Sequence, residues 1–247
     1  HGHPQAPARA RGVAPHSALR ADATTQPTWL WGSSGTHSAW TLGTLGADPR
    51  DRVTGLVTTV NRRIDRIALH GVRRTLLEAQ SAAVGLPLRI APIPYPCPNG
   101  AYEAAVHAVV ASAREAGVRC MAFGDLHLED IRAYRETLLA GTGIKPVFPI
   151  WRTDTRTLGR VMIEAGVDAR VTCVDASRLP AEAAGRRYDL DFLADLPDCV
   201  DPCGENGEFH TFVCDGPLFL RPIQICVGDR VTRDGFVFCD LTLATSG

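Results

Sequence analysis

Between Thr28 and Trp151 short apolar runs alternate with stretches of helical period, and few folds accommodate that rhythm. "TWLW" (28–31), "VTGLVTTV" (53–60), "LRIAPIP" (88–94), "CMAFGD" (120–125) and "KPVFPIW" (145–151) read as strands. The second is continuous and β-branched, as a strand buried on both faces should be. Helical stretches at 37–47, 71–85, 101–117 and 129–141 separate them, and the second aligns Val72, Leu76, Ala79 and Ala83 before closing at Gly85. This order predicts βαβ units: an α/β fold with a parallel sheet and helices on both faces. Ligands of such sheets sit beyond the carboxyl ends of the strands, which places turn 32–38, the "FGD" end (123–125) and loop 61–70 around one mouth.

After Trp151 the texture changes. A helix (155–165) and a strand (169–175) lead into a Gly/Pro/Asp/Cys-rich passage, "LPDCVDPCGENGEFHTFVCDGPLF" (196–219). Two β-like runs follow at 223–231 and 235–243, joined by a turn at Asp234-Gly235. The predicted organisation is therefore an α/β domain over 28–152 and a smaller α+β C-terminal domain over 153–247. Residues 1–27, rich in Ala, Pro, Arg and His, read as a flexible extension or a remnant of cloning rather than a transit peptide.

A net charge of -1 over 247 residues supplies no field to recruit nucleic acid or an anionic membrane. No apolar run reaches the length of a spanning helix. Eight cysteines without a repeating spacing suit free thiols in the cytoplasm, with Cys120 and Cys173 buried in strands.

Two polar constellations stand out. In "WLWGSSGTHSAW" (29–40) a strand runs through Gly32-Ser33-Ser34-Gly35 into a helix, so backbone N–H groups and a helix N-terminus could cradle phosphate. Neither GxxxxGK[ST] nor GxGxxG is present, and an ordinary tight connection fits the pattern equally well. In "CGENGEFHTF" (203–212), Glu205, Asn206, Glu208, His210 and Thr211 fall within seven residues between glycines. Two carboxylates and a histidine there could orient a substrate, position ammonia or hold a cation. Cys199, Cys203, Cys214 and His210 have the wrong spacing for a structural zinc site. Asp125, at the end of a central strand, is either a ligand-facing carboxylate or a cap of the next helix. His70, Arg73 and Arg74 read as a solvated helical face.

Taken with "HGVRRTLLEAQ" (70–80), "YPCPNGAYE" (95–103), "FGDLHLEDIRAYRE" (123–136) and "GTGIKPVFPIW" (141–151), the 196–219 passage resembles the diphthine–ammonia ligase family, a branch of the PP-loop ATP pyrophosphatases. The resemblance implies a Rossmann-like fold of the adenine nucleotide alpha-hydrolase type and a C-terminal domain that completes the site. It implies adenylation of a carboxylate by ATP with Mg²⁺, pyrophosphate release, and attack by ammonia. Ser33, Ser34, Gly35, Thr36, His37 and Ser38 would then cradle phosphates, with Gly124 and Asp125 lining the nucleotide crevice. Glu205, Asn206, Glu208 and His210 would handle the acyl substrate or ammonia. The family loop reads SGGKDS or SSGKDS, whereas this chain has Thr36 and His37 where lysine and aspartate stand. The change removes a cation and replaces an oxygen ligand, so the alternative is a nucleotide-binding or scaffold protein with little adenylation. The carboxylate substrate itself is not specified by the sequence.

Overall fold

The computed structural model describes residues 25–67 and 70–244, so most of the extension expected over 1–27 lies outside the described residues. Strand β1 (Gln26–Trp31) begins two residues before the strand read from Thr28. It feeds α1 (Thr36–Ala47), β2 (Asp51–Asn61), β3 (Arg66–Ile67), α2 (Arg74–Val84), β4 (Leu88–Ile93), α3 (Asn99–Glu115), β5 (Cys120–Phe123), α4 (Glu129–Leu139) and β6 (Lys145–Val147). The alternation predicted between 28 and 151 is present element by element.

These strands form sheet A, in which β2, β1, β5 and β6 are successive neighbours and β4 joins β2. All of those pairings are parallel; β3 alone runs antiparallel, against the end of β2 at Val60 and Asn61. The sheet is thus mixed rather than wholly parallel, because the tight reversal at 62–65 folds β3 back on β2 before the crossover through α2. Alternation along β1 sends Trp29 and Trp31 to one face, where they pack with Val106, Val109 and Val110 of α3. Leu30 faces the other way, onto Leu42 and Leu45 of α1 and Val84 of α2. Both faces are therefore covered, as the sequence predicts.

Beyond β6 come α5 (Thr155–Glu164), β7 (Asp168–Asp175), α6 (Leu190–Ala194), β8 (Phe209–Asp215), β9 (Ile225–Arg233) and β10 (Phe236–Leu243). The last four strands make antiparallel sheet B in the order β8-β7-β10-β9. Strand β8 was not expected: the 203–212 stretch reads as a loop, yet from Phe209 onward it pairs with β7. Strand β9, at the far edge, is exposed along nearly its whole length. Among the described residues no helix is long and apolar enough to cross a membrane.

The two sheets share a core. Val60, Leu76 and Leu77 pack in one cluster with Leu158, Met162, Val171, Phe209 and Phe212. A polar clasp adds to it: Asp240 of β10 accepts from Arg66 and from Arg73, the Arg66 Nη1 and Arg73 Nε contacts each measuring 2.9 Å. Arg73 therefore leaves the solvated face expected for it, while Arg74 does lie on the surface, paired with Glu78. The two guanidinium groups hold the Asp240 carboxyl down at about 2. A carboxyl lowered in the folded state stabilises above its ordinary pKa of about 3.9 and loses that contribution as pH falls through its folded value. Asp240→Asn should cost about 1 kcal/mol at pH 7 after allowance for solvent screening. In urea unfolding the gap from wild type should narrow between about pH 4 and pH 2.

Candidate active site between the two sheets

The turn after β1 is held from three sides. Gly32 N–H donates to Val57 O of β2 at 2.9 Å, and Ser33 N–H to the Ser38 hydroxyl at 3.0 Å. Ser34 adopts φ 74°, a left-handed conformation uncommon outside glycine, and its carbonyl faces sheet B. That carbonyl accepts from Val213 N–H of β8 at 3.1 Å and from the Gln80 amide of α2 at 3.0 Å. Gln80 also reaches Val213 O at 2.9 Å, so one α2 side chain ties the turn to β8.

Helix α1 starts against β8. Its first N–H, on Thr36, donates to Thr211 Oγ1 at 3.0 Å, and the two threonine hydroxyls lie 3.2 Å apart. A Cβ on Gly35 would meet Thr211 O and Oγ1, each at 3.1 Å. Gly124 serves the opposite wall, where an added Cβ would meet Thr41 Oγ1 at 3.0 Å and the His37 carbonyl at 3.2 Å. Both glycines allow backbone to approach backbone.

The centre of the arrangement is Glu205. One carboxylate oxygen accepts from Leu126 N–H at 2.7 Å and His127 N–H at 3.2 Å, just past β5. The other lies 3.3 Å from Nδ1 of His37. Burial pushes the Glu205 carboxyl up and holds His37 below the ordinary histidine value despite Asp201 and Asp125 nearby. His37 Nδ1 and the Glu205 carboxylate lie at ion-pair distance without hydrogen-bond geometry, the ring also contacts the Cys203 backbone, and its second nitrogen is Nε2. That Nε2 is buried and has no hydrogen-bond partner in the protein. Asp125 is raised by burial, opposed by Arg135 at 3.7 Å, and its Oδ2 is likewise unpartnered by a hydrogen bond.

The other residues singled out have distinct surroundings. Glu208 is buried and accepts from Asp201 N–H, Asn206 N–H and the Asn206 amide, so its carboxylate braces the 201–208 turn. Asn206 Oδ1 lies 3.4 Å from His127 Nε2. His210 stacks on His70 with ring centroids 4.0 Å apart. His70, expected on a solvated face, is only partly exposed there, and burial drives it well below the usual histidine range and His210 down to about 4. Among the described residues no three His, Cys, Asp or Glu side chains converge as metal ligands. All eight cysteines are free, with Cys120 and Cys173 buried as expected. His70, Gln80 and His127 join the site without a local sequence signal of their own; the first two lie in "HGVRRTLLEAQ" (70–80) and the third in "FGDLHLEDIRAYRE" (123–136).

A Gly/Ser turn at the end of the first strand of an α/β sheet, closed by an antiparallel sheet carrying a Glu/Asn/His turn, lies where such sheets bind ligands. Residues 154–244 match the family model described as Diphthamide synthase C-terminal domain. The relatives are diphthine–ammonia ligases: the Danio rerio protein is 32% identical over 118 residues, 45% of this chain and 46% of its own length. The Homo sapiens protein is 29% identical over 117 residues, 45% of this chain and 44% of its own length. For Schizosaccharomyces pombe the figures are 28% over 115 residues, 43% and 18%. The matched segment thus spans less than half of each of these relatives.

Three half-buried histidines shape the acid response. Their folded pKa values lie below the unfolded value of about 6.5, so unfolding takes up protons and stability falls as pH drops from about 6.5 towards about 4. Denaturant unfolding at pH 5 should give a free energy about 1–3 kcal/mol below that at pH 7. His70→Phe, which keeps a ring against His210, should reduce that difference.

Proposed function

We propose that this chain is an ATP-dependent amide-forming ligase of the diphthine–ammonia ligase kind, with its nucleotide loop re-tuned. The reading rests on the resemblance and on one observation: Glu205 gathers the β1–α1 turn, the end of β5 and the "GENGEFHT" turn at a single carboxylate. A carboxylate is a poor acyl donor; adenylation makes AMP the leaving group, and ammonia then forms the amide. In that step the amine loses a proton as the C–O bond to AMP breaks. His37, with Nδ1 3.3 Å from Glu205, is the imidazole placed to accept it. Asn206 and His210 line the same turn and strand, where they orient the acyl substrate or ammonia. We place the reaction in the cytoplasm on a small-molecule or protein carboxylate, without nucleic acid or membrane.

The fit to Mg²⁺ is partial. Asp125 offers a carboxylate oxygen without a hydrogen bond, but His37 replaces the second oxygen ligand. Mg²⁺ would therefore enter with the nucleotide, held mainly by phosphate oxygens and water, and would supply charge neutralisation on the departing pyrophosphate.

A second reading is favoured by the seating of Thr211. It takes the Thr36 N–H and lies against Gly35, where a phosphate would be cradled, and Thr36 brings no cation. On that reading the chain binds a ligand at the retained turn without adenylation. Titration calorimetry with ATP, and pyrophosphate release with ATP, Mg²⁺, ammonium and candidate carboxylates, separate the two. Wild type should bind ATP, and Thr36→Lys/His37→Asp should bind it about tenfold more tightly by restoring a cation and an oxygen ligand. If neither protein binds ATP, the ligase reading fails; if only the double variant does, the wild type is the non-catalytic form.

A further inference from the structure

A large cavity of the described molecule lies apart from the Glu205 centre. It occupies about 910 Å³ on the face of sheet A shared by α1 and α2, and the 216–220 segment closes it from the sheet B side. His37, Asp125 and Glu205 do not line it, and neither does any charged residue among those described. Its walls are apolar, with Trp40, Leu77, Val84, Leu218 and Phe219 prominent. Its volume lies in the range of about 300–1,000 Å³ typical of small-molecule sites.

Two features show that the space is more than loose packing. Helix α1 carries Gly43 and Gly46 on this wall. A Cβ on Gly43 would come no closer than 3.8 Å to Leu218, and one on Gly46 would meet nothing within 4 Å. Glycine inside a helix is unfavourable, and no backbone approach requires it at either position. What the two glycines provide is room. At the turn end of the cavity, Ser34 is 6% exposed and its hydroxyl has no hydrogen-bond partner in the protein. A buried hydroxyl left unpaired is costly, and a ligand group there would satisfy it.

We propose that this cavity is a binding site for an uncharged, largely apolar small molecule that places one hydrogen-bonding group against Ser34 Oγ. A charged head is disfavoured because no side chain of opposite sign lines the walls. The site stands independently of the ligase reading, although it borrows Ser34 and Ser38 from the same turn.

The test uses the full chain and the neutral fluorophore N-phenylnaphthylamine, whose emission rises in apolar surroundings. Saturable enhancement is expected, with displacement by decanol at several-fold lower concentration than by decanoate. Gly43→Leu/Gly46→Leu fills the cavity with better helix formers and should weaken the probe at least about tenfold while circular dichroism stays native. Gly46→Leu alone serves if the double variant fails to fold. Ser34→Ala should weaken decanol about fivefold, the worth of one hydrogen bond. Absence of enhancement, unchanged binding in the folded glycine variants, an unaltered decanol affinity in Ser34→Ala, or equal displacement by decanoate overturns the proposal. Displacement by ATP assigns the cavity to the nucleotide and overturns it too, whereas failure of ATP to bind anywhere leaves this result standing and removes only the ligase reading.

Discussion

The carbonyl of Ser34 is the point on which the site depends. Strand β8 and helix α2 both donate to it, and the left-handed conformation of Ser34 turns it towards them. An edge strand normally leaves half of its backbone groups to solvent. Here the free edge of β8 meets the β1–α1 turn, so the edge of one sheet is completed by the end of another. The register of β8 therefore fixes where Thr211 and His210 stand relative to the turn, and a one-residue slip would send both to the wrong face.

The electrostatics follow from that closure. Partial burial lowers the pKa of His37, His70 and His210, which keeps all three neutral near pH 7 and makes each a hydrogen-bonding group rather than a cation. Thr36 and a neutral His37 give the turn no fixed charge, and the imidazole stands 3.3 Å from Glu205. Asp125 and Arg135 form an ion pair at 3.7 Å beside it.

Much of this architecture was legible because it is written in local periods. The alternation of strand and helix, the two faces of β1 and the glycine after α2 each follow from neighbours in sequence. Features made by distant partners were not. Arg73 has no local cue that Asp240, 167 positions away, will claim it. His70 reads as a surface residue because its ring partner lies in another sheet. Strand β8 was hidden by its own entrance, since "CGENGE" carries turn residues up to the position where "FHTFV" starts to pair. Glu208 illustrates the converse: a carboxylate in a promising motif spends its oxygens on the turn that displays its neighbours.

Sheet B ends on its other side in a different way. Strand β9 pairs only with β10 among the described strands, and Val227 and Val231 are about half exposed along it. Such an edge is a template for a further strand, and at high concentration it would draw copies of the chain into register with one another. Asp229, Arg230 and Arg233 interrupt the apolar positions with charges of both signs. Sheet B therefore spends one edge on holding the β1–α1 turn and relies on charge at the other for colloidal stability.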